Sequence, residues 1–216
     1  MPPAINGWLN VYKPIDITSS KAVLKIKKKF NLNKIGHAGT LDPKAEGVLP
    51  IAFGNTTKII SFVESKKKQY NFIIRWGQQT TTDDTEGSVI FNSSKIPNKY
   101  EINKILFKYI GEVSQIPPKY SAIKIKGNRA YKLSRNKINF ELEARKVNVY
   151  SLKYLKNINV NESLFSITCG KGFYVRSFAR DIAIALGSRG HIIWLKRTKV
   201  ANFIEKNSIL LDDLLK

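Results

Sequence analysis

An α+β fold, a single domain around a mixed sheet, is predicted for this chain, and three observations carry the prediction. Strand-like and helix-like apolar patterns intermingle along all 216 residues. The chain shows no internal repeat, no Gly/Ser-rich linker and no glycine fingerprint of a nucleotide-binding βαβ unit. Its length and its globular content of aliphatic and aromatic residues suffice for a substantial core.

Taken in order, Gly-Trp-Leu-Asn-Val-Tyr reads as a strand ending at Lys13-Pro14. Thr18, Ser19 and Ser20 offer N-caps for a helix whose apolar face is Ala22, Val23, Ile26 and Phe30. A Gly-rich loop follows, then a short apolar strand from Val48 to Phe53 and a helix capped by Asn55 that carries Ile59, Ile60, Phe62 and Val63. Gln69 to Trp76 reads as a strand, and Gln78 to Ser88 as a connecting loop with an acidic cluster of Asp83, Asp84 and Glu86. Ile102, Ile105, Leu106, Tyr109 and Ile110 mark another amphipathic helix. From Pro117 to about Lys146 the core pattern fades while Lys, Arg and Tyr stay frequent, the mark of a functional arm or a surface loop. Strands Val147 to Leu155 and Leu164 to Cys169 follow, then a helix from Phe173 to Leu186 with Gly187 as its C-cap. Strands His191 to Leu195 and Thr198 to Phe203 and a short terminal helix close the pattern.

The chain has 37 Lys plus Arg against 16 Asp plus Glu, a formal net charge of +21. An excess of this size points to a polyanionic partner, nucleic acid first, although a compositional drift toward lysine produces the same number. Tyr120 and Tyr131, set among Lys124, Lys126, Arg129, Lys132 and Arg135, suit stacking and charge contacts with RNA. The one cysteine, Cys169, reads as a small buried hydrophobe in a reducing setting. With no signal peptide and no membrane-length apolar run, a soluble, cytoplasmic protein is expected.

The unusual chemistry is concentrated in residues 36 to 54. His37 and Asp42 lie there among Gly36, Gly39, Gly47 and Gly54, which tolerate backbone angles that other residues avoid. Alone, Asp42-Pro43 reads as an Asx-Pro turn. Other chemistries fall away. One Cys and two His cannot close a zinc site, no nucleophile elbow is present, and nothing in Thr81 to Glu86 matches a calcium loop, so a solvated acidic turn is expected there. No metal or cofactor is expected. What remains is carboxylate chemistry, in which an ionised aspartate needs a cation to keep its pKa low; Arg176, beside Gly170, Gly172 and Tyr174, is a plausible partner.

The run Gly-His-Ala-Gly-Thr-Leu-Asp-Pro-Lys-Ala-Glu-Gly-Val-Leu-Pro resembles the signature of the TruB-type tRNA pseudouridine synthases, which act on uridine 55 in the T-loop of tRNA. Further matches occur in order at Asn10 to Pro14, Lys68-Gln69-Tyr70, Pro117 to Tyr131, Lys171 to Ser177 and Trp194-Leu195-Lys196-Arg197, nearly the whole chain. The resemblance implies a pseudouridine synthase fold, a central, largely antiparallel mixed sheet flanked by helices with a thumb-like basic insertion at about 117–146. It implies that Asp42 is catalytic, that Tyr70 stacks on the target base, and that Arg176 pairs with the aspartate. It further implies that His37 holds the T-loop open, that Leu195 walls the pocket, and that Lys13 and Tyr174 lie at its edge.

Departures concern the acidic turn, the arm and the C-terminus. Thr81-Thr82 precede Asp83-Asp84 where relatives carry Asp-Thr, and Asp84 is aligned with the family's second functional aspartate. Asn136-Lys137-Ile138 lacks a glycine common in the arm, and no PUA-type domain is expected after Lys216. The expected protein is thus a monomeric, cofactor-free isomerase that binds the T-arm of tRNA. Asp42 would attack the sugar, attack the base or remove a sugar proton, and each step needs it ionised. A non-catalytic tRNA-binding or tRNA-folding protein on the same scaffold is the alternative, and a glycosidase is disfavoured because a second acid is missing.

Overall fold

The computed structural model describes residues 5–125 and 127–216, so Lys126 of the expected arm lies outside the described residues. In chain order the elements are β1 (Gly7–Lys13), α1 (Ser19–Lys29), β2 (Ile35–His37), β3 (Ala45–Phe53), a 3₁₀ turn at Gly54–Ile59, α2 (Ile60–Glu64), β4 (Lys68–Trp76), β5 (Gln78–Thr80) and β6 (Val89–Asn92). There follow α3 (Lys99–Leu106), β7 (Gly111–Gln115), β8 (Lys124–Ile125), β9 (Asn128–Arg129), α4 (Ala130–Arg135), β10 (Arg145–Asn159) and β11 (Glu162–Cys169). The chain ends with α5 (Val175–Ala185), β12 (Gly190–Val200), β13 (Phe203–Ile204), β14 (Ile209–Leu210) and α6 (Leu211–Leu215).

These elements divide into two compact units. The first comprises Met1–Asn71, Thr168–Lys171 and Trp194–Lys216, the second Phe72–Ile167 and Gly172–Ile193. Strands β4, β11 and β12 contribute residues to both.

In the first unit the strand order is β14-β1-β3-β12. β1 runs antiparallel to β3 with Lys13 opposite Gly47, whereas β12 runs parallel to β3 with Leu195, Lys196 and Arg197 beside Ala45, Glu46 and Gly47. Both strand orientations are therefore present, as a mixed sheet requires. Helix α1 closes one face. Thr18 caps it by accepting the Lys21 amide at 3.1 Å, an arrangement that contributes about 1 kcal/mol. Ala22, Val23 and Ile26 then pack with Val11, Leu49, Ile51 and Leu211. Phe30, expected on that apolar face, is instead the exposed C-cap residue.

The second unit is ordered β4-β11-β10-β7, with β10 antiparallel to β7. Its core is aromatic: Phe72 stacks on Phe165 at 5.5 Å, and Phe178 from α5 meets Phe72 edge-on at 5.8 Å. Asn98 and Glu101 form a reciprocal capping box at the start of α3.

Several expected boundaries move. Asn55 sits inside the 3₁₀ turn and does not cap α2, of which only Val63 is buried. The two C-terminal strands merge into one eleven-residue strand, β12. The loop before β3 contains a short strand, β2, paired antiparallel with Ile51 to Phe53. The basic segment forms a small hairpin, β8-β9, followed by α4, with Tyr131 in cation-π contact with Arg135 at 5.8 Å.

Candidate active site

The Asp42 turn is built from its backbone outward. Ser19, at the start of α1 and fully buried, receives the Leu41 amide on its hydroxyl at 2.8 Å and donates that hydroxyl to the Leu41 carbonyl at 3.0 Å. The Asp16 amide donates to the Pro43 carbonyl and the Ala45 amide to the Asp42 carbonyl, at 2.9 and 3.1 Å. Lys13, with no exposed surface, directs its ammonium to the carbonyls of Pro14, Ile17 and Pro43 at 2.8, 2.8 and 3.3 Å. Burial lowers the Lys13 pKa to about 8, against the opposing pull of the Asp42 carboxylate.

Strand periodicity places the next groups. Alternate residues of a strand face opposite sides, so Leu195 and Arg197 share one face of β12 while Trp194 and Lys196 share the other. Leu195 and Arg197 are both buried. The Arg197 guanidinium donates to the carbonyls of Val48 at 2.8 Å, Gly39 at 3.0 Å and Thr40 at 3.4 Å. Gly47, opposite it in register, has φ 107°, and a Cβ there would lie 2.3 Å from the Arg197 carbonyl oxygen. Glycine is therefore required at this position by both angle and space.

On the other face, the Glu46 carboxylate accepts from the Tyr12 hydroxyl and the Trp194 indole, each at 2.7 Å. One carboxylate thus ties β1, β3 and β12 together just beyond the Asp42 turn. Tyr12 is held neutral by burial and by that carboxylate. Lys196 pairs with Glu205 at 2.8 Å on this face.

Tyr70, on β4, is buried, and burial pushes its hydroxyl up to about 12, with the positive charge of Arg197 opposing and the Asp42 charge adding to the rise. The His37 imidazole, at the end of β2, is shifted down by burial and by the positive charge of Arg197, with Glu64 opposing. Its Nδ1 is buried without a hydrogen-bond partner. The first unit therefore brings Asp42, Lys13, Tyr70 and Arg197 within electrostatic reach of one another, with His37 beside Arg197.

Three expected site residues belong to the second unit. Arg176, in the first turn of α5, is buried and donates to the Thr82 carbonyl at 3.0 Å and the Tyr120 carbonyl at 3.1 Å, with Asp84 3.6 Å away. Asp84 accepts from the Thr82 hydroxyl at 2.5 Å and the Glu86 amide at 2.9 Å. Tyr174 is clamped through its backbone: the Gln115 side chain accepts its amide at 2.8 Å and donates to its carbonyl at 3.0 Å.

The expectation of a solvated acidic turn is overturned here. Asp83 and Asp84 are each 5% exposed, and Asp83 pairs with Arg180 at 3.1 Å and accepts from Gln79 at 3.1 Å. Burial raises the Asp83 pKa, with Arg180 opposing. The two arginines come from α5, more than ninety residues downstream, so the local sequence of the turn gives no sign of them. Ser19, Glu46, Gln115 and Arg197 were likewise not singled out by role. Ser19 showed only as one of three cap candidates, and Glu46 and Arg197 only as members of matched runs.

The aspartate turn, the buried Tyr70, the apolar Leu195 and the strand-borne Arg197 lie on one α+β scaffold, and comparison with known proteins shows its family. The solved Cbf5-Nop10-Gar1 complex contains a chain that superposes with a TM-score of 0.75 at 31% identity, covering 97% of this chain and 53% of that one. An H/ACA ribonucleoprotein bound to a substrate RNA containing 2′-deoxyuridine gives 0.72 at 28%, covering 97% and 52%. The profile of the TruB family of pseudouridylate synthases (N-terminal domain) matches residues 27–175, and this chain belongs to that family. Among similar curated proteins, tRNA pseudouridine synthase B of Caulobacter sp. (strain K31) is 46% identical over 98% of this chain and 68% of its own length. The protein of the same name from Wolbachia pipientis subsp. Culex pipiens (strain wPip) is 48% identical over 98% of this chain and 60% of its own. The chain thus spans roughly three fifths to two thirds of these two relatives.

Proposed function

We propose that the protein isomerises uridine 55 in the T-loop of tRNA to pseudouridine, with Asp42 as the reactive carboxylate. The observation that carries this reading is the Asp42 turn itself. Both faces of its backbone are fixed by Lys13, Ser19 and Asp16, while its carboxylate acts on Tyr70 across the same site. Holding one carboxylate still beside an aromatic ring and an apolar wall suits an isomerisation that breaks C1′–N1, turns the uracil and rejoins it through C5. No net redox change occurs, and the pieces never leave the site.

The remaining roles follow from physical chemistry. A uridine in a folded loop must be turned out of its stack, at a cost of a few kcal/mol. Stacking on Tyr70 offsets about 1–3 kcal/mol of that cost, and the neutral phenol does not repel the RNA. His37, shifted toward its neutral form, enters the vacated part of the loop as an uncharged aromatic ring. Leu195 supplies an apolar wall. Lys13, wholly buried and donating to three carbonyls, holds the turn and does not reach the RNA. Within the second unit, Asp84 holds Arg176 as part of the framework. The fixed backbone of Tyr174 suits a pocket-edge position.

The partner in this reading is the T-arm of tRNA, bound by a monomer with help from the basic segment at 117–146. A cytoplasmic setting accompanies that substrate. Among the described residues no helix is long and apolar enough to cross a membrane. The test is nucleotide-resolution mapping of pseudouridine in an unmodified tRNA transcript treated with the purified protein. Pseudouridine at position 55 alone is expected; a transcript that is bound but unmodified would favour the tRNA-folding alternative.

A further inference from the structure

The basic segment at 117–146 has little core pattern, so its placement depends on what holds its root. Strand β7 ends at Gln115, and the chain continues through Ile116, Pro117 and Pro118. Prolines carry no amide hydrogen, so these two cannot be held by donating to a neighbouring strand, and a clamp here must act on carbonyls. Helix α5 supplies one. The Ser177 hydroxyl and the Arg180 guanidinium both donate to the Ile116 carbonyl at 2.8 Å. Arg176, one helical turn before Arg180 on the same face, donates to the Tyr120 carbonyl at 3.1 Å.

Arg180 does more than hold the root. Its Nη1 donates to the Asp83 carboxylate at 3.1 Å and its Nε to the Asp181 carboxylate at 2.9 Å, so one planar group joins the acidic turn, its own helix and the start of the segment. The rest of the segment is tied to that start. The Ser134 hydroxyl donates to the Lys119 carbonyl at 3.1 Å, the Tyr131 amide to the Ser121 carbonyl at 3.0 Å and the Ala130 amide to the Ile123 carbonyl at 2.8 Å. Helix α4, with Tyr131, Lys132 and Arg135, therefore rides on residues 119–123 and moves with the root.

We propose that Arg180 is a positioning residue for RNA binding: bonded at once to the Asp83 carboxylate and the Ile116 carbonyl, it mounts the basic arm on α5 and fixes where the arm's cations meet the RNA. The proposal rests on the reading of tRNA as the partner. An arm already held in its binding orientation loses less freedom when RNA arrives, which raises affinity without any new contact. Arginine suits the task because its donors leave a rigid fork in fixed directions, whereas a lysine ammonium beside Asp83 cannot also span to Asp181 and Ile116 in the same geometry.

The test compares wild type with Arg180→Lys, which keeps a positive charge beside the buried Asp83. Peptide-resolved hydrogen exchange is measured without RNA, and the dissociation constant and saturating single-turnover rate are measured with an unmodified tRNA transcript. Exchange across 117–135 is expected to quicken about 10-fold while β10 and β11 exchange as in wild type. Affinity should weaken about 3- to 10-fold, with the loss falling on affinity rather than on the saturating rate. Unchanged exchange in the arm, unchanged affinity, or exchange that quickens equally in β10, β11 and the arm would overturn the proposal, the last by showing that Arg180 serves the whole framework. Should Arg180→Lys fail to fold, the double variant Arg180→Met with Asp83→Asn, which leaves no buried carboxylate at position 83, decides by the same readings. A wild-type protein that neither binds nor modifies the transcript would overturn the functional reading and the proposal with it, a result distinct from an active wild type with an indifferent variant.

Discussion

Two turns of this protein carry aspartates, and they are held in opposite ways. The turn at Asp42 is fixed through main-chain groups: Ser19 grips the Leu41 peptide on both sides, and Lys13 and the Asp16 amide grip the Pro43 carbonyl. The turn at Asp83 and Asp84 is fixed through its carboxylates, which engage Arg180, Arg176, Gln79, Thr82 and the Glu86 amide. Anchoring through the backbone lets a turn keep its shape when its side chain is changed. Anchoring through the carboxylates makes the side chain part of the framework. In the proposed reading the same residue type therefore has a chemical task in one turn and an architectural one in the other.

Substitutions separate the two. Asp42→Asn is expected to lower the rate of pseudouridine formation by at least about 10²–10⁴-fold, the scale of a lost acid–base group, with RNA binding retained. Asp84→Asn should act on stability, because it leaves Arg176 buried without its carboxylate. A loss of about 3–5 kcal/mol in chemical denaturation is expected. Ser19→Ala should cost about 1–3 kcal/mol, since it strands the buried Leu41 amide and carbonyl, and should also slow turnover by loosening the turn.

Smaller effects come from titration. Both imidazoles, His37 and His191, are shifted below the ordinary 6.5, chiefly by burial. The unfolded chain thus takes up these protons first, so their contribution to stability is complete above pH 6.5 and is lost as pH falls toward the lowered values. NMR titration of the ring protons should show both midpoints below 6.5. Lys68 is buried, with its pKa lowered to about 8 from 10.5. Its charged form penalises folding below about pH 8, and the penalty is relieved as pH rises from 8 toward 10.5. Tyr70 and Cys169, whose values are raised, act in the opposite sense at alkaline pH. The difference between wild type and Lys68→Met isolates the lysine and should change by about 3 kcal/mol at most across that window. Affinity for tRNA should also fall with salt, by about 0.7 in log-log slope for each phosphate neutralised on a single-stranded segment. Neutralising Lys124, Arg129, Lys132 and Arg135 together should flatten that slope.

Much of this was legible in the sequence because it was local. The Thr18 cap, the α1 face at Ala22, Val23 and Ile26, the alternation along β4 and the long helix α5 each follow from short-range pattern. The motif around Asp42 was visible for the same reason, as an ordered run of residues. What escaped was long-range pairing of polar groups. Asp83 and Asp84 read as solvated because their arginines come from α5, and Glu46 read as one more loop carboxylate because Tyr12 and Trp194 lie 34 and 148 residues away in sequence. Arg197 was visible only as the last letter of a matched motif. Its acceptors are backbone carbonyls, and carbonyls carry no sequence signature.

The central claim, that Asp42 is reactive and Asp84 structural, is tested most directly by measuring one pair of variants in two ways. Asp42→Asn and Asp84→Asn are each assayed for pseudouridine at position 55 of a tRNA transcript and for unfolding in urea. The account predicts that Asp42→Asn unfolds close to wild type and forms no detectable pseudouridine, whereas Asp84→Asn unfolds at clearly lower urea and retains turnover wherever it stays folded. An Asp42→Asn protein that still modifies the transcript at the wild-type rate would contradict it.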